Sequence, residues 1–202
     1  MPRPMRRAYQ LVADEGVLAG WLREAVVGRL ATVDADGHPV IKPVNFAYQD
    51  GVFYFHGATE GEKLDDIARC DRVGFEVDHV IAITPPVRHG CQTHCLYRSV
   101  IVRGRARVLD RPDDEAAKRQ ALEALIAKYS DASPEMEADS VRGTAVVAIT
   151  VESMTGKEDV GQRWSPERRA QVARLLVQRD GERARQAVEA LGLDWAEVAP
   201  GE

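Results

Sequence analysis

Residues 28–57 read GRLATVDADGHPVIKPVNFAYQDGVFYFHG. Apolar and polar residues alternate there in three runs, which is the periodicity of strands. DADG (34–37) parts the first run from the second, with Gly37 where a hairpin turn tolerates positive φ. QDG (49–51) turns the second run into the third. The second run, HPVIKPVNFAY, carries Pro39 at its start and Pro43 inside, and a proline inside a strand marks a bulge or an unpaired edge. Three strands joined by two tight turns predict an antiparallel meander.

The third run stops at His56, and the chain continues as GATEGEKLDDI (57–67). Leu64, Ile67 and Ala68 stand at helical spacing, which predicts a helix over 59–69. Thr59-Glu60-Gly61-Glu62 fits a capping box, in which Thr59 and Glu62 cap each other. The N–H groups of Glu60 and Gly61 are then left at the positive end of the helix, where phosphate binds readily. Lys63 adds a point charge, and Gly57 and Gly61 let a ligand approach the backbone. Two readings stand: a capped surface helix with a solvated lysine, or a phosphate seat opposed by Glu60 and Glu62.

Upstream, Asp14 caps a helix predicted to run to about Val27, with Val17, Leu18, Trp21, Leu22 and Ala25 on one face and Gly28 as its stop. Downstream, RVGFEVD (72–78) is a fourth strand and 80–94 reads as a loop around Pro85-Pro86. LYRSVIVRGRARVL (96–109) is a fifth strand, with Val100, Val102, Ala106 and Val108 facing a core and Ser99, Arg103, Arg105 and Arg107 facing away. A helix spans 112–129 on the stripe Leu122, Leu125 and Ile126, and TAVVAITVES (144–153) is a sixth strand. From Ser165 the pattern turns helical: Ser165 as N-cap, Pro166 at the first helical position, a break at Asp180-Gly181 and a stop at Gly192 predict two helices. The fold class is therefore α+β, with six antiparallel strands, flanking helices and a C-terminal helical appendage. Periodicity alone supports a barrel and a sandwich equally.

A chain of 202 residues with 45% apolar and 29% charged residues suits one soluble domain with an appendage. The net charge of −5 argues against nucleic acid as a partner, and the cluster Arg3, Arg6 and Arg7 reads as a solvated tail. No apolar run approaches the roughly 20 residues of a membrane span, and no secretory signal is legible, so a cytoplasmic location is expected. Three cysteines do not make a disulfide framework.

In order and spacing, GRLATVDADGHPVIKPVNFAYQDGVFYFHGATEGEKLDDI (28–67), YRSVIVRGRARVL (97–109) and MTGKED (154–159) resemble the pyridoxamine 5'-phosphate oxidase-like FMN-binding split-barrel superfamily. Within it the chain looks most like the nitroimidazole-reductase (Nim) branch. The resemblance covers residues 8–160 and implies a split β-barrel domain there; the amphipathic pattern of 161–202, outside it, predicts an extension packed on that domain or on a dimer partner. It implies a homodimer with FMN in the cleft between subunits and a small-molecule substrate. Lys42, Pro43, Val44 and Asn45 would lie against the flavin ring. Phe55, His56, Thr59 and Lys63 would surround the phosphate or the substrate, and Arg98 and Ser99 fall where the oxidases carry a flavin contact. His56 is the implied substrate-facing residue. The implied activity is electron transfer from a reduced nicotinamide or another donor to a small organic acceptor, nitroaromatic or nitroimidazole compounds among them. The alternatives on this barrel are a flavin or haem carrier without turnover and a deazaflavin-dependent reductase.

The chain departs from the oxidases in two respects. Glu62 precedes Lys63 where they have an Arg-Lys pair, so a second cation has to come from elsewhere, with Arg98 and Arg103 as candidates. The C-terminal Trp/Arg substrate motif has no counterpart. A flavin site needs few side-chain catalysts, because the cofactor carries the redox chemistry. HGCQTHC (89–95) has zinc-type ligands, His89, Cys91, His94 and Cys95, but neither finger spacing nor a second pair, and it reads as a loop without metal. A haem-ligating His94 or His56 is a further alternative. The arginine stripe 103–107 is expected to pair with acids across the dimer or to sit in water, and Trp164 and Trp195 to anchor the helices.

Overall fold

The computed structural model describes residues 4–131, 133 and 135–199; Arg3 of the basic cluster and the last three residues of the extension lie outside them. The described strands are β1 (Leu11–Val12), β2 (Gly28–Val33), β3 (Pro39–Val44), β4 (Ala47–Gln49), β5 (Val52–Gly57), β6 (Arg72–Ile83), β7 (Cys95–Val108) and β8 (Ala145–Asp159). The α-helices are α1 (Glu15–Glu24), α2 (Glu62–Arg69), α3 (Glu115–Tyr129), α4 (Ala138–Arg142), α5 (Pro166–Asp180), α6 (Arg185–Ala190) and α7 (Trp195–Val198). The fold is α+β, with an eight-stranded antiparallel sheet rather than the six strands expected. The run HPVIKPVNFAY breaks at Asn45-Phe46 into β3 and β4, and β1 adds a short pair with β8, Leu11 opposite Lys157.

Hydrogen bonding orders the strands β3-β2-β6-β7-β8-β5-β4. The expected meander is thus only half present. β2 pairs with β3, and β4 with β5, but β3 and β4 stand at opposite ends of the order. Laid flat, seven strands at about 4.8 Å spacing would hold those ends roughly 29 Å apart. Two linking residues reach only about 11 Å, so the sheet closes on itself as a split barrel. Pro43 sits opposite Arg29 on the terminal strand, as its missing N–H requires.

The chain forms two compact units, and the barrel belongs to the one made of residues 13–77 and 100–155. Its turns follow the sequence. Asp34 accepts from the N–H groups of Asp36 and His38, and Gly37 has φ 87°. Asp50 and Gly51 both have positive φ, the two-residue hairpin that matches strand twist. Asp14 caps α1 through the Val17 N–H at 3.0 Å, but the helix ends at Glu24 and Gly28 already belongs to β2. Phe46, Phe53 and Phe75 pack with ring centroids 4.8–5.7 Å apart, and α3 lays Ala121, Leu122 and Leu125 against Ala47, Leu109 and Val146. β7 alternates as expected: Val100, Val102 and Ala106 are buried, while Arg103, Arg105 and Arg107 are exposed. Arg105 pairs with Asp71 and Glu152, and Arg107 with Asp114 at 2.6 Å, within the chain.

The other unit comprises the described residues of 1–12, 78–99 and 156–202. It is larger than the appendage expected from residue 161. Its core joins Val172, Ala173 and Leu176 of α5 to Ala187, Val188 and Leu191, with Leu96 of β7 among them and Trp164 and Trp195 packed against the cluster. Ser165 caps α5 through the Arg168 N–H, and three helices stand where two were expected, because Gly192 ends one and Asp194 caps another. Among the described residues no helix is long and apolar enough to cross a membrane.

Candidate functional site

The joint between β5 and α2 departs from the capping box. Gly61, not Thr59, is the N-cap of α2; it has φ 129° and gives no side-chain cap. Thr59 lies in the bend before it, exposed. The first intrahelical bonds run from Leu64 and Asp65 to the Gly61 carbonyl, so the Glu62 and Lys63 N–H groups stand at the open end of the helix. A non-glycine residue at Gly61 would be strained in this conformation.

Glu62 is also not engaged in capping. Its Oε2 lies 2.8 Å from Lys42 Nζ, which reaches the joint from β3. That ammonium is fully buried and makes no hydrogen bond among the described residues, so the pair is a charge contact at angles unsuited to hydrogen bonding. Lys63 folds back along the end of β5: a Cβ on Gly57 would lie 3.1 Å from its Nζ. One turn on, Asp66 is buried and accepts from Thr32 Oγ1 at 2.8 Å and from Arg69. The Thr32 hydroxyl, with help from Arg69, holds the Asp66 carboxyl below the usual carboxylate range against the effect of burial. The joint thus gathers two lysines, a glycine cradle and open helix N–H groups, with Glu62 as the opposing charge. This arrangement can bind a dianionic group if Glu62 yields.

Besides Lys63, the joint holds a second cation, Lys42 of β3. Strand alternation could have shown it: Lys42 pairs with Leu30 and shares the inward face with that residue, whereas Pro43 and Asn45 point the other way and are exposed. One planar ligand cannot meet all four side chains of 42–45 on one face. Phe55 is 1% exposed, its ring turned into the core, so only its main chain could touch a ligand. His56 is exposed at the end of β5. With Asn45 it lines a cavity of about 450 Å³ walled by α3 and α4. Asn45 donates its amide to the Val26 carbonyl at 3.1 Å. Thr59 lines a separate cavity of about 520 Å³ with Arg111 and Lys118.

Arg98 and Ser99 fall in the other unit. Arg98 Nε donates to Glu158 at 2.8 Å, and Ser99 is half-buried. In the same unit His94 Nε2 lies 3.0 Å from Asp159 and its ring meets Trp164 edge-on. His89, Cys91, His94 and Cys95 do not converge: the one described group of metal-type ligands is Asp34, Asp36 and His38, at the β2–β3 turn that Asp34 already closes.

The family model described as pyridoxamine 5'-phosphate oxidase matches residues 16–158. The chain belongs to this family. Among curated proteins it is similar to the 5a,11a-dehydrotetracycline/5a,11a-dehydrooxytetracycline reductase of Streptomyces rimosus subsp. rimosus, 36% identical over 93 residues. That match covers 44% of this chain and 59% of the relative's length. Among solved structures, a protein of Bacteroides thetaiotaomicron assigned to 5-nitroimidazole antibiotic resistance superposes with a TM-score of 0.63 at 23% identity, over 73% of this chain and 85% of that one. The FAD and heme binding protein of Mycobacterium smegmatis superposes with a TM-score of 0.67 at 20% identity, over 79% and 78%. These likenesses bear on the fold, and they match the split barrel described above.

Proposed function

We propose that this chain is an FMN-dependent oxidoreductase that passes electrons from a reduced nicotinamide, or another donor, to a small organic acceptor such as a nitroaromatic compound. The observation that carries the reading is the buried ammonium of Lys42, without a hydrogen bond among the described residues, beside Lys63 and the open start of α2. A phosphate fits there: it offers Lys42 well-aligned acceptors in place of the Glu62 contact, and Gly57 leaves room for it. FMN, when bound, supplies the redox chemistry. Lys42, Lys63 and the α2 N–H groups hold its phosphate. Pro43 on the outer face of β3, Asn45 just after that strand and the main chain of Val44 and Phe55 meet the ring or its chain. His56 faces the acceptor. The reductase name of the S. rimosus relative supports an oxidoreductase kind.

A second copy of the chain completes the cleft. Ladder register puts Ile41 and Pro43 of β3 on one face with Ala31 and Val33 of β2, and Ile41 is 65% exposed. Arg29, opposite Pro43, shares this face and is paired with Glu76; the exposed Ile41 and Val33 beside it support burial against a partner.

Absorption of the purified protein with added FMN tests the reading. A bound two-band flavin spectrum and FMN-dependent oxidation of NADH or NADPH with a nitroaromatic acceptor are expected. A protein that FMN neither binds nor stabilises against melting sinks it.

A further inference from the structure

We propose that the cavity between α3 and α4 is a pocket for a neutral molecule of two or more fused rings, held by a hydrogen bond from His56. Its assignment as the pocket of the electron acceptor rests on the flavin reading above; the binding itself does not.

The cavity measures about 450 Å³, within the range of roughly 300–1,000 Å³ typical of small-molecule sites. Its walls are Leu122, Leu125, Ile126, Met136 and Val141, and among the described residues no Asp, Glu, Lys or Arg lines it. A charged ligand group would lose its water there with no opposite charge to meet it, so the occupant is neutral. A single five-membered ring would leave most of this volume unfilled and its apolar walls wet.

The polar atoms of the lining are mostly committed. The Asn45 amide donates to Val26, and the Tyr129 hydroxyl bridges the Phe46 N–H and the Val26 carbonyl. The Thr144 hydroxyl donates to Ser140 O. The imidazole of His56 has no hydrogen bond among the described residues, so it is free to donate to a carbonyl or nitro oxygen of the occupant. Ser140 adds only a hydroxyl at the exposed rim, so the pocket discriminates chiefly by the His56 bond: a hydrocarbon of the same shape leaves the imidazole desolvated and unpaired.

The probe is 9-fluorenone, three fused rings with one carbonyl, compared by ligand-observed NMR and equilibrium dialysis with fluorene and with fluorenone-2-carboxylate. Fluorenone binds, and both comparators bind at least tenfold more weakly. Ser140→Phe, at the exposed rim of the cavity, fills it and weakens fluorenone at least tenfold with the melting temperature kept. Should that variant misfold, Thr144→Leu carries the same test. His56→Leu removes the preference for fluorenone over fluorene. Equal binding of fluorenone and fluorene, or affinity unchanged by a folded filling variant, overturns the proposal. So does displacement of fluorenone by saturating FMN, which would make the cavity the cofactor's own. Failure of FMN to bind, with fluorenone binding as described, overturns the flavin reading and leaves the pocket standing.

Discussion

Lys42 and Glu62 face each other across the β5–α2 joint, Nζ to Oε2 at 2.8 Å. The carboxylate holds the ammonium where a phosphate is proposed to sit, so binding has to displace it. Glu62→Gln removes the competitor and is expected to tighten FMN binding about three- to tenfold, the equivalent of about 1 kcal/mol for a partly exposed ion pair. Lys42→Met should loosen it by more, because the buried end of Lys42 meets little competing water. Flavin-fluorescence titration of both variants checks this, and a weaker-binding Glu62→Gln would show that Glu62 supports the site instead.

Lys63 acts at the same joint from the helix. Lys63→Ala is expected to weaken FMN about tenfold, and less at high salt, as screening of a point charge requires. Gly57→Ala presses a methyl group to 3.1 Å from the Lys63 ammonium. The neighbour is the tip of a flexible side chain, so the fold should survive while FMN affinity falls. Unchanged affinity in both variants would remove Lys63 from the site.

Most of the barrel was legible because its signals are local. The turns at 34–37 and 49–51 and the Asp14 cap depend on residues a few positions apart, and the alternation of β7 is a period of two. What the sequence hid depends on distant partners. β3 and β4 are adjacent in the chain and opposite in the sheet, and the break between them at Asn45-Phe46 is held by Tyr129 of α3, 83 residues away. The capping box failed for a similar reason. Thr59 and Glu62 have the right spacing, but Lys42 from β3 takes the carboxylate and Gly61 takes the cap. The cavity beside His56 has no local signature at all, since α3 and α4 meet β5 only in the fold.

Tyr129 gives that break a measurable weight. Its hydroxyl accepts from the N–H of the fully buried Phe46 at 2.9 Å and donates to a carbonyl of Val26 or Phe46. Tyr129→Phe leaves the Phe46 N–H without its acceptor and should cost about 1–3 kcal/mol of stability. Urea unfolding monitored by circular dichroism measures it; a loss below about 0.5 kcal/mol would mean that water replaces the hydroxyl.

Gly104, within the YRSVIVRG segment, is fixed by close approach. A Cβ there would stand 2.4 Å from the Thr150 carbonyl oxygen of β8 and 2.9 Å from Ile149. Backbone cannot yield as a side-chain tip can. Gly104→Ala is therefore expected to destabilise by about 1–3 kcal/mol or more, as overpacking does, and to lower the yield of folded protein. Gly20→Ala, with open space around the added methyl group, is the control and should be near neutral or stabilising. Equal melting temperatures for the two variants would refute the contact.

Lys128 gives the barrel a pH dependence of its own. Its ammonium sits 3.6 Å over the Phe46 ring and donates to the Leu22 carbonyl at 2.9 Å, and burial pulls its pKa from 10.5 down to about 8. Below pH 8 the group is charged in both the folded and the unfolded chain, and the full cost of burying that charge is carried. Between about 8 and 10.5 the folded state releases the proton that the unfolded chain still holds, so this group's contribution to stability rises with pH. Above that range the group is neutral in both states and the cost has gone. Lys128→Met lacks the titration. The stability of the parent relative to Lys128→Met should therefore improve as pH is raised from 7.5 to 10, and the Cε resonance of Lys128 should titrate with a midpoint near 8. A midpoint at or above 10 would show that the Phe46 face and the Leu22 carbonyl stabilise the ammonium enough to cancel its desolvation.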